Sequence, residues 1–190
     1  MKVKKRLVFF AHLLSRGKLT YSCFGNISLR IGKKAIIKNK SVSLETAVEK
    51  DFSVFSIRDK LDLIKKTANL SSEWKMHALS YILNPQYNAV FHLHPFYISL
   101  LDELGLDLKS EDLEFKYLLD NRIKKLPFYE PGTDVLAREV AGNLGKYPFL
   151  ILERHGIIVA ANSLKEAYSY SIAMETAARK LVYLRLLKKL

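Results

Sequence analysis

A layered α/β or α+β domain is the fold class this sequence predicts. Three observations predict it. Short runs with a two-residue apolar repeat alternate unevenly with longer runs of helical period. The 190 residues are 49% hydrophobic and 26% charged, a globular composition, and are long enough to bury roughly two-thirds of the unfolded surface. Internal repeats, low-complexity tracts and Pro/Gly/Ser-rich linkers are missing, so residues 1–190 read as a single domain.

The elements follow in order. An amphipathic helix near the N-terminus is closed by Ser15-Arg16-Gly17-Lys18, where Gly17 is expected to take the left-handed conformation and the cations suit the negative helix end. Gly25-Asn26-Ile27-Ser28-Leu29-Arg30 leads into a strand that turns at Gly32 and returns as Lys34-Ala35-Ile36-Ile37, a hairpin. Residues 52–57 alternate as another strand. Ser71-Ser72-Glu73 opens a helix carrying Trp74, His77 and Tyr81, which should stop near Asn84 ahead of Pro85. Residues 89–94 form a strand ended by Pro95, and residues 149–152 form one that runs into His155-Gly156. Helices are expected over 111–119 and 134–144, and a long one capped by Ser163 or Asn162 reaches almost to Leu190.

Composition excludes several classes. Cys23 is the only cysteine, which rules out an intramolecular disulfide and a cysteine-based zinc cage and points to a reducing compartment. Lys2 to Arg6 and the apolar run after them imitate a secretion signal, but His12 interrupts the run and Arg16 and Lys18 stand where a small-residue cleavage site belongs. No stretch approaches a membrane span, so the chain is expected to be cytoplasmic with no membrane partner. A net charge of +12 raises nucleic-acid binding, yet the cations are scattered and no aromatic-basic stacking motif accompanies them. The charge reads as solvated surface that favours an anionic substrate, with no nucleic-acid partner.

His92-Leu93-His94 is the sharpest chemical signal. Period-two geometry puts both imidazoles on one strand face, within reach of one cation; alone, the pair reads equally well as packed core histidines. His155, between a strand end and Gly156, can be aimed at the same place by the turn, and three histidines leave a zinc coordination position open. Glu73 at a helix start has its carboxylate near the positive helix end; by itself it is more simply a residue that compensates the dipole. The Gly25-Asn26-Ile27-Ser28 turn offers backbone N–H groups to an anion, and Ser71 and Ser72 offer hydroxyl and backbone donors, though both also read as ordinary turn and cap. His77 reads as core or as a neighbour of the site, and His12 as structural.

Taken in order, Gly25-Asn26-Ile27-Ser28, Ser71-Ser72-Glu73-Trp74 with His77, Asn88-Ala89-Val90-Phe91-His92-Leu93-His94-Pro95, Pro131-Gly132-Thr133 and His155-Gly156 resemble the class II aldolase/adducin family. The resemblance spans about residues 5 to 185, nearly the whole chain on the scale of one domain, with spacing nearest the fuculose-phosphate aldolase branch. It implies a three-layer α/β/α fold around a central mixed, mostly antiparallel sheet, assembled as a homotetramer with active sites between subunits. It implies His92, His94 and His155 as ligands of Zn2+ or another divalent transition metal, and Glu73 as the catalytic acid/base. Gly25, Asn26, Ser71 and Ser72 match the positions that bind the substrate phosphate.

The implied reaction is reversible cleavage of a small ketose phosphate into dihydroxyacetone phosphate, or a related ketone, and an aldehyde. Two departures stand out: Phe24 precedes Gly25-Asn26 where the family has a small residue, and Lys38-Asn39-Lys40-Ser41 replaces its phosphate loop. Lys38 or Lys40 is expected to supply charge instead, and Tyr117 is the nearest candidate for the family's tyrosine from a neighbouring subunit. Alternatives within the resemblance are a metal-dependent sugar-phosphate epimerase or dehydratase, and an adducin-like module without catalysis.

Overall fold

The structure, a computed structural model, describes residues 3–57, 64 and 69–188. Its centre is a seven-stranded sheet in the order β3-β2-β1-β4-β7-β6-β5, with strands β1 (Asn26–Ile31), β2 (Lys34–Lys38), β3 (Phe52–Ser56), β4 (Ala89–Leu93), β5 (Ile123–Leu126), β6 (Phe149–Leu152) and β7 (Gly156–Ala161). Every neighbouring pair is antiparallel except β5 with β6, so the sheet is mixed and mostly antiparallel.

Helices cover both faces. Alternation along each strand sends one set of side chains to either side. Ile27, Leu29, Ala89, Phe91, Leu93, Ile157 and Val159 pack with Leu7, Ala11 and Leu14 of α1 (Val3–Arg16), with α3 (Phe96–Glu103) and α4 (Leu113–Leu118), and with α6 (Leu164–Leu187). Ala35, Ile37, Val90, Leu150, Ile158 and Ala160 pack on the other side against Trp74 and Tyr81 of α2 (Trp74–Leu83) and Leu136, Val140 and Leu144 of α5 (Asp134–Leu144). The layers are therefore α/β/α, as expected. β4 and β7 are buried at every residue, as central strands covered on both faces must be.

Local chemistry explains most boundaries. Leu7, Ala11 and Leu14 recur at helical spacing and are fully buried, which makes α1 amphipathic. Its C-terminus corrects one expectation: Lys18, not Gly17, takes the left-handed conformation, at φ +55°. Lys18 N–H donates to the Ser15 carbonyl and Leu19 N–H to the Leu14 carbonyl, the two bonds of a Schellman closure. Gly17 instead lets the last helix approach, since a Cβ there would lie 3.3 Å from Ile172 Cδ1. A two-residue turn at Gly32-Lys33 joins β1 to β2, with Ile31 opposite Lys34.

The expected helix at Ser71 begins later. Trp74 is its first helical residue and Glu73 stands at the cap position, because Ser71 and Ser72 belong to a turn closed by Trp74 N–H on the Ser71 carbonyl. The helix expected over 111–119 is shorter, at Leu113–Leu118. Ser163 caps α6 by accepting from the Glu166 N–H, while the Glu166 carboxylate accepts from the Asn162 N–H. No helix among the described residues is long and apolar enough to cross a membrane.

Candidate metal centre

Two adjacent strands carry the histidines. His92 is the fourth residue of β4, His94 follows its last residue, and His155 ends the turn between β6 and β7, just before Gly156. β4 and β7 pair over five residues, with Leu93 opposite Ile157, so the ladder brings His155 beside the His92-Leu93-His94 segment. Gly156 makes this approach possible: a Cβ on it would lie 2.3 Å from the Leu93 carbonyl oxygen. Gly25 is needed for a second approach. It has φ +71°, and a Cβ there would meet Thr20 Oγ1 at 2.7 Å and the His92 carbonyl at 3.0 Å.

The three imidazoles form one cluster. Ring centroids are 4.7 Å apart for His92 with His94 and for His92 with His155, and 5.4 Å for His94 with His155. One ring nitrogen from each lies within 4.8 Å of the others. His92 Nδ1 donates to the Ile157 carbonyl at 3.1 Å, which leaves its Nε2 facing inward, 3.0 Å from His94 Nε2. A backbone carbonyl that fixes the ring and aims the other nitrogen is the arrangement metal-binding histidines use.

Glu73 completes the cluster from α2. Its Oε2 lies 3.0 Å from His92 Nε2 and its Oε1 3.4 Å from His155 Nε2. Burial pushes the Glu73 carboxyl up, but the facing His92 more than offsets this and holds it well below the usual carboxylate range. Burial pulls His92 down, yet the Glu73 carboxylate wins and its net shift is upward. Burial, helped by His92, lowers His94 to about 3 and His155 to about 4, so both are neutral near pH 7. Neutral imidazoles are what a cation requires.

The residues fit a divalent metal. Buried Glu73 Oε1 and His155 Nδ1 lack a hydrogen-bond partner, and three imidazole nitrogens form the donor set of a zinc-type site with an open position, beside which Glu73 stands. A cavity of about 770 Å3 opens beside His94 and His155, lined also by Tyr21, Phe24, Arg154 and Gly156. Phe24, unusual before Gly25-Asn26, places its ring 5.6 Å from that of His94 and so forms part of the mouth.

The other expected residues divide. Ser71 is buried and its Oγ accepts from the Glu73 N–H, while Ser72 is exposed at the start of α2. The Asn26 side chain is engaged inside the protein: Nδ2 donates to Glu73 Oε2 at 3.1 Å, and Oδ1 meets His77 Nε2. Lys38 is 2% exposed and donates to the carbonyls of Cys23 and Val42, tying the loop before Gly25 to the loop after β2. Burial lowers it to about 8, and its ammonium is close enough to Glu73 for the charges to interact. Lys40 is exposed, and Tyr117 projects from α4 with 84% exposure. His12 is structural, with Nε2 2.9 Å from the Ala47 carbonyl.

The chain is similar to known proteins over nearly its whole length. Residues 5–182 match the family described as Class II Aldolase and Adducin N-terminal domain. The chain is 30% identical over 175 residues to an L-fuculose phosphate aldolase of Methanococcus vannielii, covering 92% of this chain and 93% of that protein. It is 25% identical over 165 residues to a 3-oxo-tetronate 4-phosphate decarboxylase of Haemophilus influenzae, covering 82% and 75%. The crystal structure of L-fuculose-1-phosphate aldolase from Thermus thermophilus superposes with a TM-score of 0.88 at 23% identity, over 98% of this chain and 95% of that one.

Proposed function

This chain belongs to the class II aldolase and adducin family, and on that premise we propose that it is a zinc-dependent aldolase acting on a small ketose phosphate. The observation that carries the proposal is the convergence of His92, His94 and His155 with an ionised Glu73 at one mouth of the sheet. An adducin-like module without catalysis has no need of that set. Products are dihydroxyacetone phosphate, or a related ketone, and an aldehyde, formed by a single domain working as a cytoplasmic homotetramer.

His92, His94 and His155 would hold the ion, and a divalent cation there would supply Lewis acidity and stabilisation of negative charge for carbon–carbon bond cleavage. Glu73 takes and returns the proton; it is ionised at rest and so has a vacant site for one, and the nearby imidazoles hold its oxygens in place. Ser71, Ser72 and the turn at Gly25 meet the phosphate at the start of α2, where the positive helix end favours an anion. Asn26 contributes to this end through its position, its side chain being engaged with Glu73 and His77. Buried Lys38 adds positive charge behind this turn and braces it. Phe24, at the mouth, narrows the choice of aldehyde portion.

The similarity to a 3-oxo-tetronate 4-phosphate decarboxylase supports a second reading, in which the bond broken leaves carbon dioxide. The test incubates zinc-loaded protein with a panel of ketose phosphates and with 3-oxo-tetronate 4-phosphate, scoring triose phosphate and carbon dioxide separately. Chelation should abolish turnover and zinc restore it. Glu73→Gln should bind zinc yet lose about 10²- to 10⁴-fold in kcat, the usual worth of a positioned acid/base. Undiminished product in Glu73→Gln rejects the assigned role.

A further inference from the structure

A line of buried polar groups runs from Glu73 into the protein, between β1 and α2. Glu73, His77 and Tyr81 are spaced by four and share one helix face; Asn26 and Ser28 are spaced by two and share one strand face. The contacts interleave: Glu73 Oε2 with Asn26 Nδ2 at 3.1 Å, Asn26 Oδ1 with His77 Nε2, His77 Nδ1 with Ser28 Oγ at 2.7 Å, and Ser28 Oγ with Tyr81 Oη at 2.6 Å. His77 is fully buried, and Ser28 and Tyr81 are at most 1% exposed.

An ionised Glu73 fixes the proton placement as far as His77. An ionised carboxylate only accepts, so the Asn26 amide turns its NH2 toward Glu73 and its oxygen toward His77. His77 must then carry its proton on Nε2, which leaves a lone pair on Nδ1 for the Ser28 hydroxyl, and Ser28 in turn accepts from Tyr81. Each contact along the line then pairs one donor with one acceptor. Burial, seconded by His92, lowers His77 to about 3, so the ring stays neutral and the orientation holds across the working range of pH.

We propose that His77 is a positioning residue, acting through Asn26 to aim the Glu73 carboxylate at the reacting centre, an inference that rests on Glu73 moving the proton. An amide does not relay protons readily, so the line aligns and polarises Glu73; it is not a proton wire. Without His77 the Asn26 amide can rotate and present its oxygen to Glu73, two acceptors face to face.

The test has two arms. In metal-free protein, nitrogen-15 NMR of labelled histidine should show His77 as the neutral Nε2–H tautomer in wild type and a tautomer mixture in Ser28→Ala and Asn26→Ala. A proton on Nδ1 in wild type overturns the proposal whether or not a substrate is found. In zinc-loaded protein, with L-fuculose 1-phosphate and 3-oxo-tetronate 4-phosphate as probes, His77→Phe should lower kcat about 10- to 100-fold while KM and zinc affinity stay within about 3-fold. His77→Gln, whose amide nitrogen reaches the place of Nε2, should recover most of the loss. Asn26→Ala with His77→Phe should lose no more than the worse single variant, because both act along one path. Additive losses, or Gln no better than Phe, overturn it. An inactive parent refutes the proposed reaction and leaves the NMR arm to decide the hydrogen-bond alignment; should His77→Phe fail to fold, His77→Gln and Asn26→Ala carry the kinetic arm.

Discussion

Replacing Gly156 by Ala tests how the sheet assembles the metal centre. The added Cβ would stand 2.3 Å from the Leu93 carbonyl oxygen, where an ordinary carbon–oxygen contact is about 3.3 Å, so about 1 Å of movement is forced. The obstacle is backbone in a central ladder, flanked by His92 and His94, and Gly156 itself adjoins His155; the movement therefore separates the third ligand from the other two. Overpacking of this kind costs about 2–3 kcal/mol, which for a chain of this size lowers Tm by roughly 5–10 °C. Disturbed ligand orientation should weaken zinc about 10- to 100-fold.

Calorimetry of the metal-free protein reads the first effect and competition with a chromophoric chelator the second. Gly105→Ala is the control, because Gly105 also has positive φ, at +66°, yet a Cβ there meets nothing within 4 Å. It should lose about 1–2 kcal/mol from backbone strain alone and keep its zinc affinity. Gly156→Ala binding zinc as tightly as wild type would refute the claim that close approach of β4 and β7 builds the site.

Two further outcomes are expected. Metal-free protein should weaken as pH falls below about 6.5: His77 and His94 take protons in the native state only near 3 and His155 near 4, so the unfolded chain binds more protons in that interval. The contribution of these three is fully present above 6.5 and lost on acidification, whereas that of His92, shifted upward, is fully present below 6.5 and lost as pH rises above it, so it does not offset the loss in this interval. Glu73 adds a further loss below its unfolded value of 4.5. A urea midpoint that does not move between pH 7.5 and 5 contradicts this. Gly142→Ala, inside α5 with open space around it, should raise stability by about 0.5–1 kcal/mol by restricting the unfolded chain, measured from the same urea curves; a lower midpoint contradicts it.

Much of the fold was legible where a period was clean. The hairpin at Gly32, the α1 stripe and the capped α6 each combine a pattern with a stop signal. β7, Gly-Ile-Ile-Val-Ala-Ala, has no alternation because both its faces are covered, and β5, Ile-Lys-Lys-Leu, is a short edge strand that reads as loop. α3, apolar and only eight residues long, is set by packing rather than propensity. At the site, the histidine pair, His155 and Glu73 were each ambiguous from their placing and were singled out together only by the family resemblance. The Asn26–His77–Ser28–Tyr81 line was not, since each residue alone is an ordinary core or turn residue; the four-residue spacing on α2 against the two-residue spacing on β1 was the available signal. Lys38 was expected to supply charge to the substrate, but sequence charge does not reveal that the loops enclose it and bind its ammonium with two backbone carbonyls.

The ligands of the proposed ion stand on or next to strands that hydrogen bonding holds in register, His92 on β4, His94 just after it and His155, 63 positions beyond His92, just before β7. Small zinc modules that collapse once stripped of their ion assemble their ligands only by binding it. Here the scaffold precedes the ion. Stripping should therefore silence the protein without dismantling it, and a cell that runs short of metal would keep a reserve of intact chains that recover as soon as supply returns.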